Sequence, residues 1–271
     1  MAEQTVNAAS NPAAVNSTVN KILAEPEQTI PQAQITPPSD NVVNLPAGYL
    51  SPSGEVIRTA EVRELNGRDE EQITKSNNLL KQLNTILSRA VTQIGTQPVD
   101  DAVLDRLIIG DRDALLLGIY KATFGPTAEL AAICDGCNDI KTVEVDIDRD
   151  IEVKVLVDPL EDRRWTVRTS GHEYLVTLPT GVAQKELTNN PDKTTAELTT
   201  ILLENCILEI DGSPMLGKNQ VQAIGLKDRR KLGEEIAKRT PGPKFETAEV
   251  TCPDCGGKVA VPINLGTLFR F

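Results

Sequence analysis

Aromatic side chains are nearly absent from this 271-residue chain, which has one Trp, three Tyr and four Phe, 3% in all. Histidine occurs once. Basic residues are outnumbered, 28 Lys and Arg against 39 Asp and Glu, giving a net charge of −11 and a pI near 4.8. A chain of that sign is poorly suited to neutralising nucleic-acid phosphates, which takes dense Lys and Arg. It equally disfavours docking on anionic membranes. No apolar run approaches the roughly 20 residues of a spanning helix; Ala114–Tyr120 is typical of the longest. The opening Met-Ala-Glu-Gln-Thr has no basic n-region and no apolar h-region. A soluble intracellular product is expected.

Catalytic signatures are missing as well. His172 is followed by Glu173, but the second histidine of a zincin motif would fall at Val176, so His172 reads as a turn or edge residue. Asp146, Asp148 and Asp150 alternate like the start of a calcium loop, yet the required Gly and Glu are replaced by Ile151 and Val157. These aspartates read instead as the wet face of a strand. Gly110-Asp-Arg-Asp113 lacks the Gly-Lys-Ser/Thr of a phosphate loop, and no Gly-x-Ser-x-Gly occurs. No enzyme and no small-molecule substrate are expected.

What the chain does have is five cysteines, four of them in two identical spacings, Cys134-Asp-Gly-Cys137 and Cys252-Pro-Asp-Cys255. A Cys-x-x-Cys turn sets two sulfurs on one side of a knuckle, and two knuckles complete a zinc tetrahedron. One structural zinc on Cys134, Cys137, Cys252 and Cys255 is the expectation. Four thiolates leave no open position for chemistry at the metal. Lys141 and Lys258, just after the knuckles, read either as offsetting the site's negative charge or as ordinary solvated strand starts. Cys206, beside Ile207 and Leu208, reads as a buried small hydrophobe.

The separation of the knuckles has an explanation in the rest of the pattern. Residues 1–44 carry five prolines, no aromatic residue and little apolar bulk, and predict a disordered arm. It reads either as a plain solvated tail or as an arm that orders in an assembly, for which Val19–Ala24, Val42 and Val43, with Leu45 just beyond, are the apolar residues available for docking. From Leu45, Pro46-Ala-Gly48 and Ser51-Pro-Ser-Gly54 signal turns, Val56–Val62 a strand, and Arg68–Ile94 one long helix closed by Gly95. A helix capped by Asp111 follows, then the first knuckle and a strand over Thr142–Ile147. The second half repeats the order: a strand over Tyr174–Leu178, a helix over Thr195–Glu209, a helix opening at Asp228-Arg229, the second knuckle, and a strand over Lys258–Ile263. Gly67 aligns with Gly181 and Cys134 with Cys252, offsets of 114 and 118 residues. The fold class expected is therefore α+β, with two pseudo-repeated lobes, 45–155 and 156–271, each built as strand, helix, capped helix, knuckle and strand. A shared zinc site made of all four knuckle cysteines joins them.

Certain motifs have a familiar ring: Leu45-Pro-Ala-Gly48-Tyr-Leu-Ser-Pro-Ser-Gly54, Gly110-Asp-Arg-Asp113, Cys134/Cys137, Leu178-Pro-Thr-Gly181, Asp228-Arg229, Cys252/Cys255 and the final Leu268-Phe-Arg-Phe271. Over residues 45–271 the chain resembles tailed-phage proteins related to the baseplate hub assembly proteins of T4-type phages. The resemblance implies a structural or assembly role in the baseplate, other tail and baseplate proteins as partners, and a place in the virion after assembly in the host cytoplasm. The alternative is an intracellular zinc-ribbon-like accessory protein that binds nucleic acid. Such knuckles usually sit among Lys, Arg and aromatic residues, whereas the neighbours here are Asp135, Asp139, Glu249 and Asp254.

Overall fold

Val43, Leu45, Ala47 and Tyr49 alternate inward along a nine-residue strand, β1 (Val42–Leu50). It begins the computed structural model, which describes residues 41–190 and 192–270; the arm up to residue 40 lies outside them. Two expectations change at this strand. Residues 42–44 belong to the sheet, and Val43 and Leu45 are buried in the core rather than free for docking. Pro46-Ala-Gly48 makes a bulge, not a turn: the pairing of β1 with β2 (Val56–Val62) slips between Asn44 and Tyr49, where Gly48 takes φ +78°. A Cβ on Gly48 would also lie 2.8 Å from Val56 Cγ1.

The expected long helix is broken. Asn66 caps α1 (Gly67–Ile73) and the Asn78 side chain caps a second helix, α2 (Leu79–Ala90), by accepting from the Lys81 N–H. At Val91 the backbone leaves the helical region and enters β3 (Val91–Ile94) without a loop. β-Branched Val91 and Thr92 favour the extended state. With β4 (Gln97–Pro98) the first sheet is a meander in the order β1-β2-β3-β4. Next come α3 (Asp101–Arg106), α4 (Ile109–Phe124), the hairpin β5 (Thr127–Ile133) and β6 (Ile140–Asp146), and a short α5 (Ile147–Asp150). Asp146, the last residue of β6, caps α5 through the Asp148 and Arg149 N–H groups and donates its own N–H to Asp150, so Asp148 and Asp150 lie in a helical turn rather than on the wet face of a strand.

Beyond β7 (Val153–Lys154), the elements are β8 (Arg164–Arg168), β9 (Glu173–Thr177), α6 (Gly181–Thr188), α7 (Thr195–Cys206), β10 (Ile207–Ile210) and β11 (Ser213–Pro214). The predicted Thr195–Glu209 helix again ends early and runs straight into a strand. The second sheet has the order β11-β10-β9-β8. α8 (Lys218–Ala223), α9 (Leu226–Arg239), β12 (Gly242–Pro243), the hairpin β13 (Thr247–Thr251) and β14 (Lys258–Pro262), and α10 (Leu265–Leu268) complete the chain. β12 pairs with β7.

The architecture is mixed α+β around two apolar clusters. α4 is apolar on every side from Ala114 to Tyr120, the pattern of a buried helix, and it lies in the first cluster with Leu45, Ile86 and Leu130. Val259, Val261 and Ile263 of the last hairpin region, with Phe269, are buried in that same cluster. The second cluster holds Trp165, Tyr174, Val176, Leu203, Cys206, Leu232 and Ile236, joined by Ala47 and Ile108 from the other half. No helix of the described residues is long and apolar enough to cross a membrane.

Candidate metal centre

Each Cys-x-x-Cys sits at the tip of a hairpin, the first of β5-β6 and the second of β13-β14, and both tips close in the same way. In the first, the Cys134 N–H donates to Asp139 O at 2.9 Å and the Asn138 N–H to Cys134 O at 2.9 Å. In the second, the Cys252 N–H donates to Gly257 O at 2.8 Å and the Gly256 N–H to Cys252 O at 3.0 Å. Asn138 and Gly256 each leave the knuckle with positive φ, 60° and 72°, a conformation that Asn and Gly accept most readily.

The tips are stacked. Cys134 bridges to Val259, and the Asp135 N–H donates to Lys258 O at 3.0 Å. Gly136 and Gly257 meet backbone to backbone: a Cβ on Gly257 would lie 2.9 Å from Gly136 Cα, and one on Gly136 would lie 2.8 Å from Cys255 Sγ. Glycine is required at both places for steric reasons. The result is that the four sulfurs lie within 4.8 Å of one another. Cys134 and Cys255 are in contact at 3.5 Å, and Cys137 and Cys252 at 3.9 Å. Tetrahedral zinc with bonds of about 2.3 Å sets sulfurs about 3.8 Å apart, so the donor set and its spacing fit a metal ion of that kind. Cys134 and Cys252 are buried, Cys137 is half-buried and Cys255 is exposed.

The local electrostatics also favour a cation. The backbone N–H of Cys137, with that of Gly136, lowers the Cys134 thiol to about 7 against burial. The Asp139 N–H pulls Cys137 the same way, yet burial and the neighbouring sulfurs hold it up at about 12. Four thiolates at one point repel one another, and a cation among them offsets that charge. Lys141 supplies part of it, interacting with Cys137 while it reaches across to Asp254 at 2.5 Å and Asp139 at 3.5 Å. Lys258 pairs with Glu249 at 3.1 Å.

Other residues picked from the sequence do different work. His172 stands just before β9, its Nδ1 2.7 Å from Asp211 Oδ2. Asp111 and Asp228 are not helix caps; α4 and α9 start two residues earlier, after Ile108 and Gly225. Buried Asp111 accepts the Ala47 N–H at 2.7 Å, and Asp228 accepts the Thr169 hydroxyl at 2.9 Å and the Tyr174 hydroxyl at 3.1 Å. Each following arginine donates back eight residues to a carbonyl of the preceding short helix, Arg112 to Leu104 O and Arg229 to Val221 O. Arg112 also binds Gln184 Oε1 at 2.6 Å and Asn84 Oδ1.

One buried charge was missed. Asp69 has no exposed side-chain surface and is held by Arg63 and Arg89, both at 2.6 Å. The pattern Asn66-x-x-Asp69, a reciprocal cap in the structure, is the signal that could have located it. No other group of three or more His, Cys, Asp or Glu among the described residues is arranged to hold a metal. No protein-family model, curated protein or solved structure matches the chain.

Proposed function

We propose that this chain is a structural or assembly protein of a tailed-phage baseplate, with two pseudo-repeated lobes tied by one structural zinc on Cys134, Cys137, Cys252 and Cys255. The observation that carries the reading is that hairpins from opposite halves of the chain bring four thiols to one point. Such a set fills the coordination of zinc and leaves no place for substrate. Its use is to hold parts together.

The duplication draws support from the order of elements. With the two-residue strands β7 and β12 and the 3-10 turn Glu161–Arg163 set aside, β1-β2-α1-α2-β3-β4-α3-α4-β5-β6-α5 is followed by β8-β9-α6-α7-β10-β11-α8-α9-β13-β14-α10. In both series a 12-residue helix passes directly into a four-residue strand. The last hairpin, though it belongs by sequence to the second lobe, packs into the first cluster.

The residues behind the phage resemblance are busy within the body. Ala47 binds Asp111, and on the other side of the α4 start the Ile109 N–H donates to Pro179 O at 3.1 Å and the Gly181 N–H to Leu107 O at 2.9 Å. Leu-Pro-Ala-Gly and Leu-Pro-Thr-Gly thus serve as scaffold and contribute no reactive group. The proposed protein is a non-enzymatic component of the virion baseplate, assembled in the host cytoplasm, with other tail and baseplate proteins as partners rather than nucleic acid, membrane or a small molecule.

Elemental analysis of reduced, freshly purified protein should give one zinc per chain. Virions or tail complexes from infected cells should contain the chain. Two zincs or none would overturn the shared centre, and tight, salt-sensitive binding of DNA or RNA would replace the baseplate role with the nucleic-acid one.

A further inference from the structure

We propose that the cysteine cluster is also an oxidation site, in which disulfides form across the two hairpins, Cys134 to Cys255 and Cys137 to Cys252, as zinc leaves. The proposal rests on the zinc reading above for the leaving metal, but the pairing follows from the protein alone. Both sulfur pairs already touch, at 3.5 and 3.9 Å. A bond of about 2.05 Å needs only that each pair close by less than about 2 Å. Both pairs also join corresponding places: the first cysteine of one knuckle meets the second of the other.

Access runs from outside inward. Cys255 is the exposed sulfur and its contact Cys134 is fully buried; attack on Cys255 therefore leaves Cys134 as the sulfur that resolves it. Cys137, half-buried, and buried Cys252 stand in the same relation. Thermodynamics favours these bonds over closure within a knuckle. The first crossed bond to form spans 121 or 115 residues of chain, and that long closed loop restrains the unfolded chain far more than one closed between neighbours three apart; the second then closes only the small ring between the two knuckles. A bond that stabilises the fold more is, by linkage, harder to reduce within it.

The balance is complete with a two-electron oxidant of the diazene type. Each pair of thiolates gives up two electrons and becomes one disulfide; the oxidant takes them with two protons and becomes a hydrazine. Two such events remove all four thiolate ligands, and the metal departs as Zn²⁺. The oxidised chain keeps its hairpins together, because the new bonds replace the metal between the same two tips.

Diamide is the probe. Full-length protein, its zinc content first measured, is titrated with diamide while a chromogenic chelator reads the released zinc, then digested without reduction. Trypsin leaves Cys134 and Cys137 on one peptide and Cys252 and Cys255 on another, and cleavage before Asp135 and Asp254 separates all four sulfurs. The expected result is one zinc released per two disulfides, the two tryptic peptides joined, and the links 134–255 and 137–252. Separate peptides, each closed on itself, would overturn the proposal, as would zinc release only after unfolding. If the starting protein holds no zinc, the metal reading fails by itself, and the crossed or uncrossed links in that chain still decide the pairing.

Discussion

Asp111 is fully buried, and its Oδ2 has no hydrogen-bond partner among the described residues. Burial raises its pKa from 3.8 to about 6, against the opposing pull of the Ala47 N–H and the Arg163 and Arg58 guanidiniums. Burial raises Asp113, one residue beyond Arg112, to about 6 as well. Because the folded chain holds these protons more tightly than the unfolded one, their stabilising contribution is complete below the unfolded value and is lost as pH rises through about 6. Asp111→Asn keeps an acceptor for Ala47 and removes one titration. Between pH 5 and 8 the natural chain should lose about 1 kcal/mol more than the variant in denaturant melts; equal slopes would show that Asp111 ionises freely. Asp69 works in the opposite sense: its hydrogen bond from Arg63, with that from Arg89, holds it well below the usual carboxylate range, so its contribution persists until strong acid. The four cysteines were legible because spacing alone defines a knuckle. Asp111 was not: a carboxylate near a helix start reads as a cap unless one knows that Ala47, 64 residues away, arrives with an N–H.

The sites where helix becomes strand, Ala90-Val91 and Cys206-Ile207, escaped the sequence reading for a related reason. Leu83, Leu87, Val91 and Ile94 continue a helical spacing, but Val91 and Ile94 are buried as strand residues beside β2. A three- or four-residue period over so short a stretch fits both states. The capped start of α7 at Thr195 could be placed from the sequence, whereas the start of α2 was hidden inside the expected Arg68–Ile94 helix; the ends of both depended on the sheet. Close packing between elements was equally invisible. Gly110 in α4 faces β12 so closely that a Cβ would lie 1.8 Å from Pro241 O and 2.9 Å from Gly242 Cα. Gly110→Ala should cost at least about 2 kcal/mol, since backbone on both sides must move. Gly233→Ala, in α9 with no atom within 4 Å of the added carbon, should instead gain about 0.5–1 kcal/mol by helix propensity. Thermal melts of the two variants should diverge in sign; parallel losses would mean that helix glycines matter here for some reason other than space.

At the scale of the whole molecule, sequence order and packing order differ. Val259, Val261, Ile263, Leu268 and Phe269 complete the cluster around α4, although about a hundred residues forming the second sheet and its helices intervene. Deleting residues 246–271 should therefore loosen the first half, not the second. Hydrogen exchange should rise at Leu115–Ile119 and Leu130 while Tyr174–Val176 stays protected; loss confined to the second sheet would contradict the interleaved core. That interleaving sets a timetable for synthesis. On a ribosome adding roughly 5–20 residues per second, the chain waits about 10–30 s between emergence of α4 and of its last packing partners. Through that interval the exposed flank of α4 is a natural client for a chaperone, and an interrupted translation product keeps that flank open to proteases. A metal held by all four cysteines would need both knuckles, so its capture would wait until the second hairpin has joined the first.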